Sequence, residues 1–368
     1  MAILVLNLGS SSLKAALFEP SSLKQLWAAS TSFDAAAGPT ALLNSWLAPQ
    51  LEAWWPQIQQ VGHRVVHGGE RFTKPTRLTA EALSELEALC ELAPLHNPPA
   101  LAAIQWLQSQ RPQLPQWACF DTAFHASLPA ASHSYALPAS WRQQGLRRFG
   151  FHGINHQHLA EQAALIWGKQ GHTAPPKLIS CHLGAGCSLA AIAAGRSIDT
   201  TMGFTPLEGL VMASRSGSVD PGLLLHQLRR GISGEDLNQV LNHESGLLGL
   251  SGLSSDWREL KHAAAQGHAG AQLALAVFIH RLKAGIAAMA ASLGGVDLIA
   301  VSGGIGAHDR ELLQQLQSEL AWIGRVQWVQ LPADEERMIA RLIQREGFSD
   351  PADPGSDATG GSGAGDQH

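Results

Sequence analysis

A chain of 368 residues, 45% hydrophobic and only 15% charged, can bury a large core and, at roughly 100–200 residues per domain, predicts about two domains. Its 25 Lys and Arg against 30 Asp and Glu, a formal charge of -5, come with no basic run, which argues against a nucleic-acid partner or an anionic membrane surface. Cys90, Cys119, Cys181 and Cys187 lack C-x-x-C spacing and the start M-A-I-L-V-L-N-L-G lacks a basic n-region, so the expectation is reduced thiols in a soluble, cytoplasmic protein.

In chain order, residues 1–8 form a continuous apolar run that predicts a strand buried on both faces. The turn Gly9-Ser10-Ser11-Ser12 leads into a second strand over 13–18. Segments 39–58, 79–92 and 99–108 read as helices, and 117–121 as a short strand with polar groups at its end. Asn155 is placed to cap a helix running to residue 167. Residues 178–183, 188–193 and 196–200 predict a meander with turns at Gly184–Gly186 and Gly195. A helical stretch over 223–242 precedes a glycine-spaced loop at 246–252. The most apolar helix, 271–295, carries His280, Arg281 and Lys283, which argues against a membrane span. A buried strand over 296–301 ends in Gly303-Gly304-Ile305-Gly306, and 335–345 is the last helix. Residues 349–368, rich in Gly, Ser, Asp, Pro and Ala, lack apolar periodicity and predict a disordered tail.

One internal repeat stands out. I-L-V-L-N-L-G-S-S-S-L-K-A-A-L from Ile3 aligns without a gap on L-I-S-C-H-L-G-A-G-C-S-L-A-A-I from Leu178. Both run strand, polar residue, Leu-Gly, small-residue turn, strand, which predicts two copies of one α/β unit facing across a cleft. Turns of small residues let backbone N–H groups approach phosphate. Asn7, Ser10, Ser12 and Lys14 around the first turn suit a Mg-phosphate, or else an ordinary hairpin turn. Walker A and G-x-G-x-x-G patterns are absent, which disfavours a P-loop or a Rossmann site. Arg64 in H-R-V-V-H-G-G and Arg215 in S-R-S-G suit a carboxylate or phosphate fork, with a surface salt bridge as the plain alternative. His152, His156 and His158 lack the Glu of H-E-x-x-H, so zinc is disfavoured. Asp121 either orients a reacting group or caps a turn, and no G-x-S-x-G elbow occurs.

Nine ordered blocks carry a resemblance: N-L-G-S-S-S-L-K (7–14), H-R-V-V-H-G-G (63–69), P-L-H-N-P (94–98), F-D-T-A-F-H (120–125), R-R-F-G-F-H-G (147–153), H-L-G-A-G-C-S (182–188), S-R-S-G-S-V-D-P-G (214–222), G-G-I-G (303–306) and D-E-E-R-M-I-A (334–340). The chain closely resembles the acetate kinase family, in the superfamily of duplicated ribonuclease-H-like domains that also holds sugar kinases, chaperones and actin. The resemblance implies an α/β fold of two actin-like ATPase domains around a cleft. Domain I would hold 1–125 plus 336–348, and domain II would hold 126–335 with the nucleotide and the dimer contact. It implies reversible phosphoryl transfer between ATP and acetate, with ADP as the other product, Mg²⁺ or Mn²⁺ as metal, and a homodimer.

By the family's pattern Asp121, Arg64, Arg215 and His152 are catalytic, and Asn7 and Glu335 hold the metal. Lys14, Ser10, Ser12, His182, Leu183, Gly184, Ala185, Gly186, Asp256, Trp257, Arg258, Gly304, Ile305, Gly306, Ala307 and His308 bind nucleotide. Arg64, Val66, Leu95, Phe151 and Pro206 line the substrate pocket. Ala185 replaces the amide of H-L-G-N-G-S-S, and Ala307-His308 replaces E-N of G-I-G-E-N, which opens the identity of the donor: ATP, another nucleotide or pyrophosphate. The alternatives are a propionate or butyrate kinase, an actin- or chaperone-like ATPase, and a catalytically weak regulatory paralogue.

Overall fold

The computed structural model describes residues 1–9, 12–32, 38–94 and 96–347; the predicted tail lies outside them. A first sheet contains β1 (Ala2–Leu8), β2 (Ser12–Phe18), β3 (Gln25–Ser32), β4 (Ile58–Val65), β5 (Thr76–Arg77) and β6 (Gln116–Phe120), ordered β3-β2-β1-β4-β6-β5. A second contains β7 (Leu178–Leu183), β8 (Cys187–Ala193), β9 (Arg196–Thr200), β10 (Leu298–Ser302) and β11 (Gln327–Gln330), ordered β9-β8-β7-β10-β11. Apart from the two-residue β5, the two sheets share one topology. Each begins with an antiparallel hairpin and a third antiparallel strand, then continues from its first strand through two parallel ones. The internal repeat is thus a duplicated α/β unit. Its registers differ by one residue: Asn7 pairs with Lys14, but His182 pairs with Ser188 rather than Leu189. The second turn is shorter, closed from Gly184 N–H to the Gly186 carbonyl at 3.0 Å, where Gly9 N–H reaches Ser12 at 2.8 Å.

All seven residues of β1 are buried because helices cover both faces. Leu4, Leu6 and Leu8 pack with Leu43, Leu47, Leu51 and Leu107 on one side. Ile3 and Val5 pack with Met338, Ile339 and Ile343 of the Glu335–Gly347 helix on the other. The far end of the chain therefore returns to the first sheet, and β4 receives it at Gly62. A Cβ on Gly62 would lie 2.2 Å from Ile343 Cδ1, so only glycine admits that helix at this distance. In the second unit the Ala269–Leu293 helix is long and apolar enough to cross a bilayer. Its stripe Ala271, Ala274, Phe278, Leu282, Ile286 and Leu293 packs instead with Leu189, Ala191, Ile299 and Val301. The Gly153–Lys169 helix covers the opposite face through Leu159 and Ala163.

Several predicted elements change. Residues 39–51 are helical, but the helix expected over 39–58 stops short: Trp55–Gln57 is a single 3₁₀ turn, and Ile58 opens the strand Ile58–Val65, which pairs on both edges between β1 and β6. The stretch 223–242 is two helices, Pro221–Arg229 and Gly234–His243, parted at Gly231 (φ 94°) and restarted by a Ser233–Asp236 capping box. The loop at 246–252 is the helix Gly246–Ser251, seated by buried Leu247, and the Gly303 turn opens the helix Gly303–His308. Asn155 is no cap. His152 holds that position, and Asn155 is a buried residue inside the helix.

Candidate active site

Asn7 on β1, Arg64 on β4 and Asp121 just after β6 lie at the carboxyl ends of three neighbouring parallel strands, where α/β sheets place ligands. Asp121 is fixed by its N–H to the Val65 carbonyl, 3.0 Å. Arg64 forks onto it, Nε to Oδ1 at 3.0 Å and Nη2 to Oδ2 at 2.5 Å, while Nη1 donates to Asn7 Oδ1 at 3.2 Å. The Asn7 amide donates onward to Glu335 Oε2 (3.0 Å) and Glu336 Oε1 (2.7 Å), in the first turn of the last helix. Lys14 Nζ stands 4.0 Å from Glu336. Burial works to lower Arg64, but Asp121 and Glu335 outweigh it and hold the guanidinium charged beyond its ordinary range. Burial pushes the Asp121 carboxyl up against the pull of Arg64. It pushes Glu335 up as well, where Arg64, His182 and Lys14 win and keep it below the usual carboxylate range.

His152 borders this group in a left-handed conformation, φ 57° and ψ 21°. The next N–H, of Gly153, bonds the Asp121 carbonyl at 2.9 Å, and a Cβ on Gly153 would lie 2.1 Å from that oxygen. F-H-G thus pins the histidine beside the aspartate at the cost of an unusual backbone. Its Nδ1 meets Ser188 Oγ at 2.9 Å, and its ring lies 4.4 Å from that of His182. Burial first, then His182, Arg64, His156 and Arg215, hold His152 well below the normal histidine range, so the ring is neutral at pH 7. Arg215 donates to the Pro206 carbonyl (3.2 Å) and meets His96 Nε2 at 3.4 Å. Burial and then Arg215 push His96 down to about 3. Val66 and Phe151 are buried in one cluster and Pro206 is buried too. Leu95 and Ser10 lie outside the described residues.

The second unit presents a cleft of about 970 Å³. Of the expected nucleotide residues, Gly184, Ala185, Asp256, Trp257, Arg258, Gly304, Ile305 and His308 line it. Others do not. Leu183 is a core residue, and Gly306 is a packing position whose Cβ would lie 2.6 Å from Val301. Gly186 faces His152, and Ala307 is not among the lining residues. Lys14 and Ser12 stay on β2, with Lys14 at the carboxylate group rather than in the cleft.

Sequence reasoning missed Glu336, next to Glu335 in D-E-E-R, and His96, inside the quoted P-L-H-N-P. It also missed Lys261 and Asp309, bonded at 3.0 Å at the cleft wall. A residue pair 48 positions apart leaves no local signal. Among the described residues no cluster of three or more His, Cys, Asp or Glu forms a metal cage. One amide and two carboxylates are nevertheless a hard-oxygen set, the kind that holds Mg²⁺ together with waters and substrate phosphates.

The sequence matches the model of the Acetokinase family over residues 28–346. An acetate kinase of Synechococcus sp. (strain JA-2-3B'a(2-13)) is 46% identical over 357 residues, 88% of each chain. A solved propionate kinase from Francisella tularensis subsp. tularensis SCHU S4 superposes with a TM-score of 0.84 at 33% identity, covering 93% of this chain and 98% of its own. Porphyromonas gingivalis acetate kinase gives 0.80 at 32%, covering 92% and 98%.

Proposed function

This chain belongs to the acetokinase family, and we propose that it transfers the γ-phosphoryl group of ATP directly to acetate, reversibly, giving acetyl phosphate and ADP. The observation that carries the reading is the pair of cations Arg64 and Arg215, with neutral His152 as a hydrogen-bond donor, beside a cleft large enough for a nucleoside. An acetate carboxylate, with an ordinary pKa near 4, is ionised at pH 7 and needs no general base. It needs relief from repulsion by the triphosphate. One carboxylate oxygen attacks the γ-phosphorus as the bond to the β,γ-bridging oxygen breaks and its electrons leave on ADP. The transition state spreads charge over the equatorial oxygens, so positioned cations and donors do the stabilising.

Arg64 and Arg215 are the proposed clamp on carboxylate and γ-phosphoryl, and His152 donates a hydrogen bond to the transferring group. Asp121 spends both oxygens on Arg64, which supports a role in aiming that guanidinium. Asn7, Glu335 and Glu336 are the residues that would hold Mg²⁺, or Mn²⁺ in its place. Bound with the nucleotide, the metal supplies charge neutralisation on the β- and γ-phosphates. Leu247, Trp257 and Ile305 give the cleft apolar walls, which supports a nucleoside triphosphate over pyrophosphate. The burial of Val66, Phe151 and Pro206 supports acetate over longer acids.

Of the nine residues in Pro221–Arg229 none is buried, and Leu223, Leu225 and Leu228 are about half exposed. This supports a second copy of the chain as their cover, a homodimer formed through the second unit. The division into 1–125 with 336–348 and 126–335, and a cytoplasmic location with free thiols, belong to the same proposal. The test is hydroxylamine trapping of the acyl phosphate over a panel of acids and donors. Acetate with ATP should give the highest kcat/KM; a preference for butyrate or for pyrophosphate would overturn the assignment.

A further inference from the structure

Behind His152 lies a file of buried polar groups that no step of the transfer uses. Ser188 Oγ touches His152 Nδ1 at 2.9 Å and His156 Nε2 at 2.8 Å, and His156 Nδ1 touches Ser180 Oγ at 2.8 Å. Ser180, His156 and Ser188 are fully buried. Neutral imidazoles carry one N–H each, and each hydroxyl one proton and two acceptor lone pairs, so the file has three consistent arrangements. In the first, Ser180 donates to His156, His156 to Ser188, and Ser188 to His152 Nδ1. Every buried donor is then spent, and the one proton left over sits on His152 Nε2. In the second, His152 donates to Ser188, Ser188 to His156 and His156 to Ser180. The Ser180 proton then has no acceptor, because among the described residues that hydroxyl has no partner but His156. In the third, His152 and His156 both donate to Ser188 and Ser180 donates to His156, and the buried Ser188 proton has no acceptor among the described residues. A buried unsatisfied donor costs about 1–3 kcal/mol, enough to select the first arrangement over either of the others.

We propose that Ser180, His156 and Ser188 are positioning residues that polarise this file toward His152 and lock it as the Nε2–H tautomer, with its proton facing the reacting groups. The proposal rests on the reading that His152 donates to the transferring phosphoryl group. The outward placement of Nε2 is independent of that reading: the nitrogen borders Gly186 of the β7–β8 turn, where a Cβ would stand 3.1 Å from it, and it bonds no described residue. The backbone is anchored from the same side. His125 Nε2 meets the Phe151 carbonyl at 3.1 Å, immediately before His152, and its ring packs 5.6 Å from His156. A wrong-tautomer histidine costs about 10⁴ in turnover in the serine-protease triad, which gives the scale of what such a file protects.

The test is long-range ¹H–¹⁵N correlation on protein labelled at histidine, with the His152 signals assigned by their loss in His152→Gln. Wild-type His152 should show a protonated Nε2 and a bare Nδ1. Ser180→Ala removes the first donor of the file without touching substrate. It should give a mixture of His152 tautomers and a kcat lower by about tenfold, short of the full wrong-tautomer loss, with both KM values within about twofold. Ser180→Thr keeps the hydroxyl and should restore both signals and rate. A proton on Nδ1 in the wild type would overturn the proposal, and so would a Ser180→Ala variant with unchanged spectrum and kcat. If Ser180→Ala fails to fold, the wild-type spectrum alone decides. The spectrum needs no substrate, so a protein that formed no acetyl phosphate would overturn the functional reading and leave the tautomer result standing.

Discussion

At the scale of single residues, the two arginines are alike in sequence and unlike in place. Arg64 is locked in a buried fork on Asp121, so Arg64→Ala would strand a buried carboxylate, at about 3–5 kcal/mol of stability. Lost activity there would be confounded with lost folding. Arg215 leans on a carbonyl, a thioether and a neutral imidazole, and among the described residues it pairs with no carboxylate. Arg215→Ala should therefore keep its melting temperature and lose about 10³ or more in kcat, with Lys rescuing poorly for want of a bidentate fork. Turnover near wild type in Arg215→Ala, measured by hydroxamate formation, would exclude it from the clamp. Val66→Ala addresses the acid. One methylene is worth about 1–3 kcal/mol in such discrimination, so the enlarged pocket should raise kcat/KM for propionate relative to acetate. An unchanged ratio would remove Val66 from the alkyl end. Arg64, Asp121 and Arg215 stood out in the sequence as candidate site residues, and Val66 entered only through the resemblance; Glu336 and His96 went unread. An arginine beside glycine suits an anion, which is why the two arginines could be picked out, whereas Glu336 and His96 are recruited by what folds against them.

At the scale of elements, the last helix is the piece on which the site depends. It places Glu335 and Glu336 against Asn7, and it is admitted by the bare backbone of Gly62 under Ile339 and Ile343. Gly62→Ala should overpack this contact, costing about 1–3 kcal/mol, and raise KM for the metal–nucleotide complex as the two glutamates move. Adding Ile343→Val removes the nearest atom and should recover part of both losses. Thermal melts and a Mg²⁺ titration of the rate would show it. A Gly62→Ala variant with wild-type stability would mean that the helix seats otherwise. The helix itself was predictable from its periodicity. Its address on β1 and β4 was not, because nothing local links residue 343 to residue 62.

At the scale of the molecule, two consequences follow from what is buried and what is left uncovered. His63 and His125 are buried and lowered to about 4, first by desolvation, with hydrogen bonds to Gln116 and the Phe151 carbonyl opposing. Their folded values lie below the unfolded 6.5, so the unfolded chain takes up protons first. The stability they allow is complete above about pH 6.5 and is lost as pH falls toward 4. The melting temperature should drop steadily from pH 7 to 5 at constant ionic strength, and His63→Gln should flatten that slope. A flat profile in the wild type would show that these rings charge freely in the fold. The exposed leucines of Pro221–Arg229 make the other case. Leu225→Glu should halve the mass seen by light scattering while leaving the monomer folded; a monomeric wild type would refute the dimer.

What the sequence determined by itself was the repeating unit and, through the resemblance its nine blocks carry, the family. The double-sided burial of β1 and the paired hairpins follow from patterns a few residues long, which local sterics and periodicity set. The tertiary structure decided the rest. It made Ile58–Val65 a strand because β1 and β6 flank it, shortened the second hairpin by one residue, and turned Asn155 from a cap into a buried donor to His182 and Ser302. It also chose the partners of Asn7, 328 and 329 positions away. Contacts at that separation are selected by the packing of whole layers, and no stretch of chain short enough to read carries their energy.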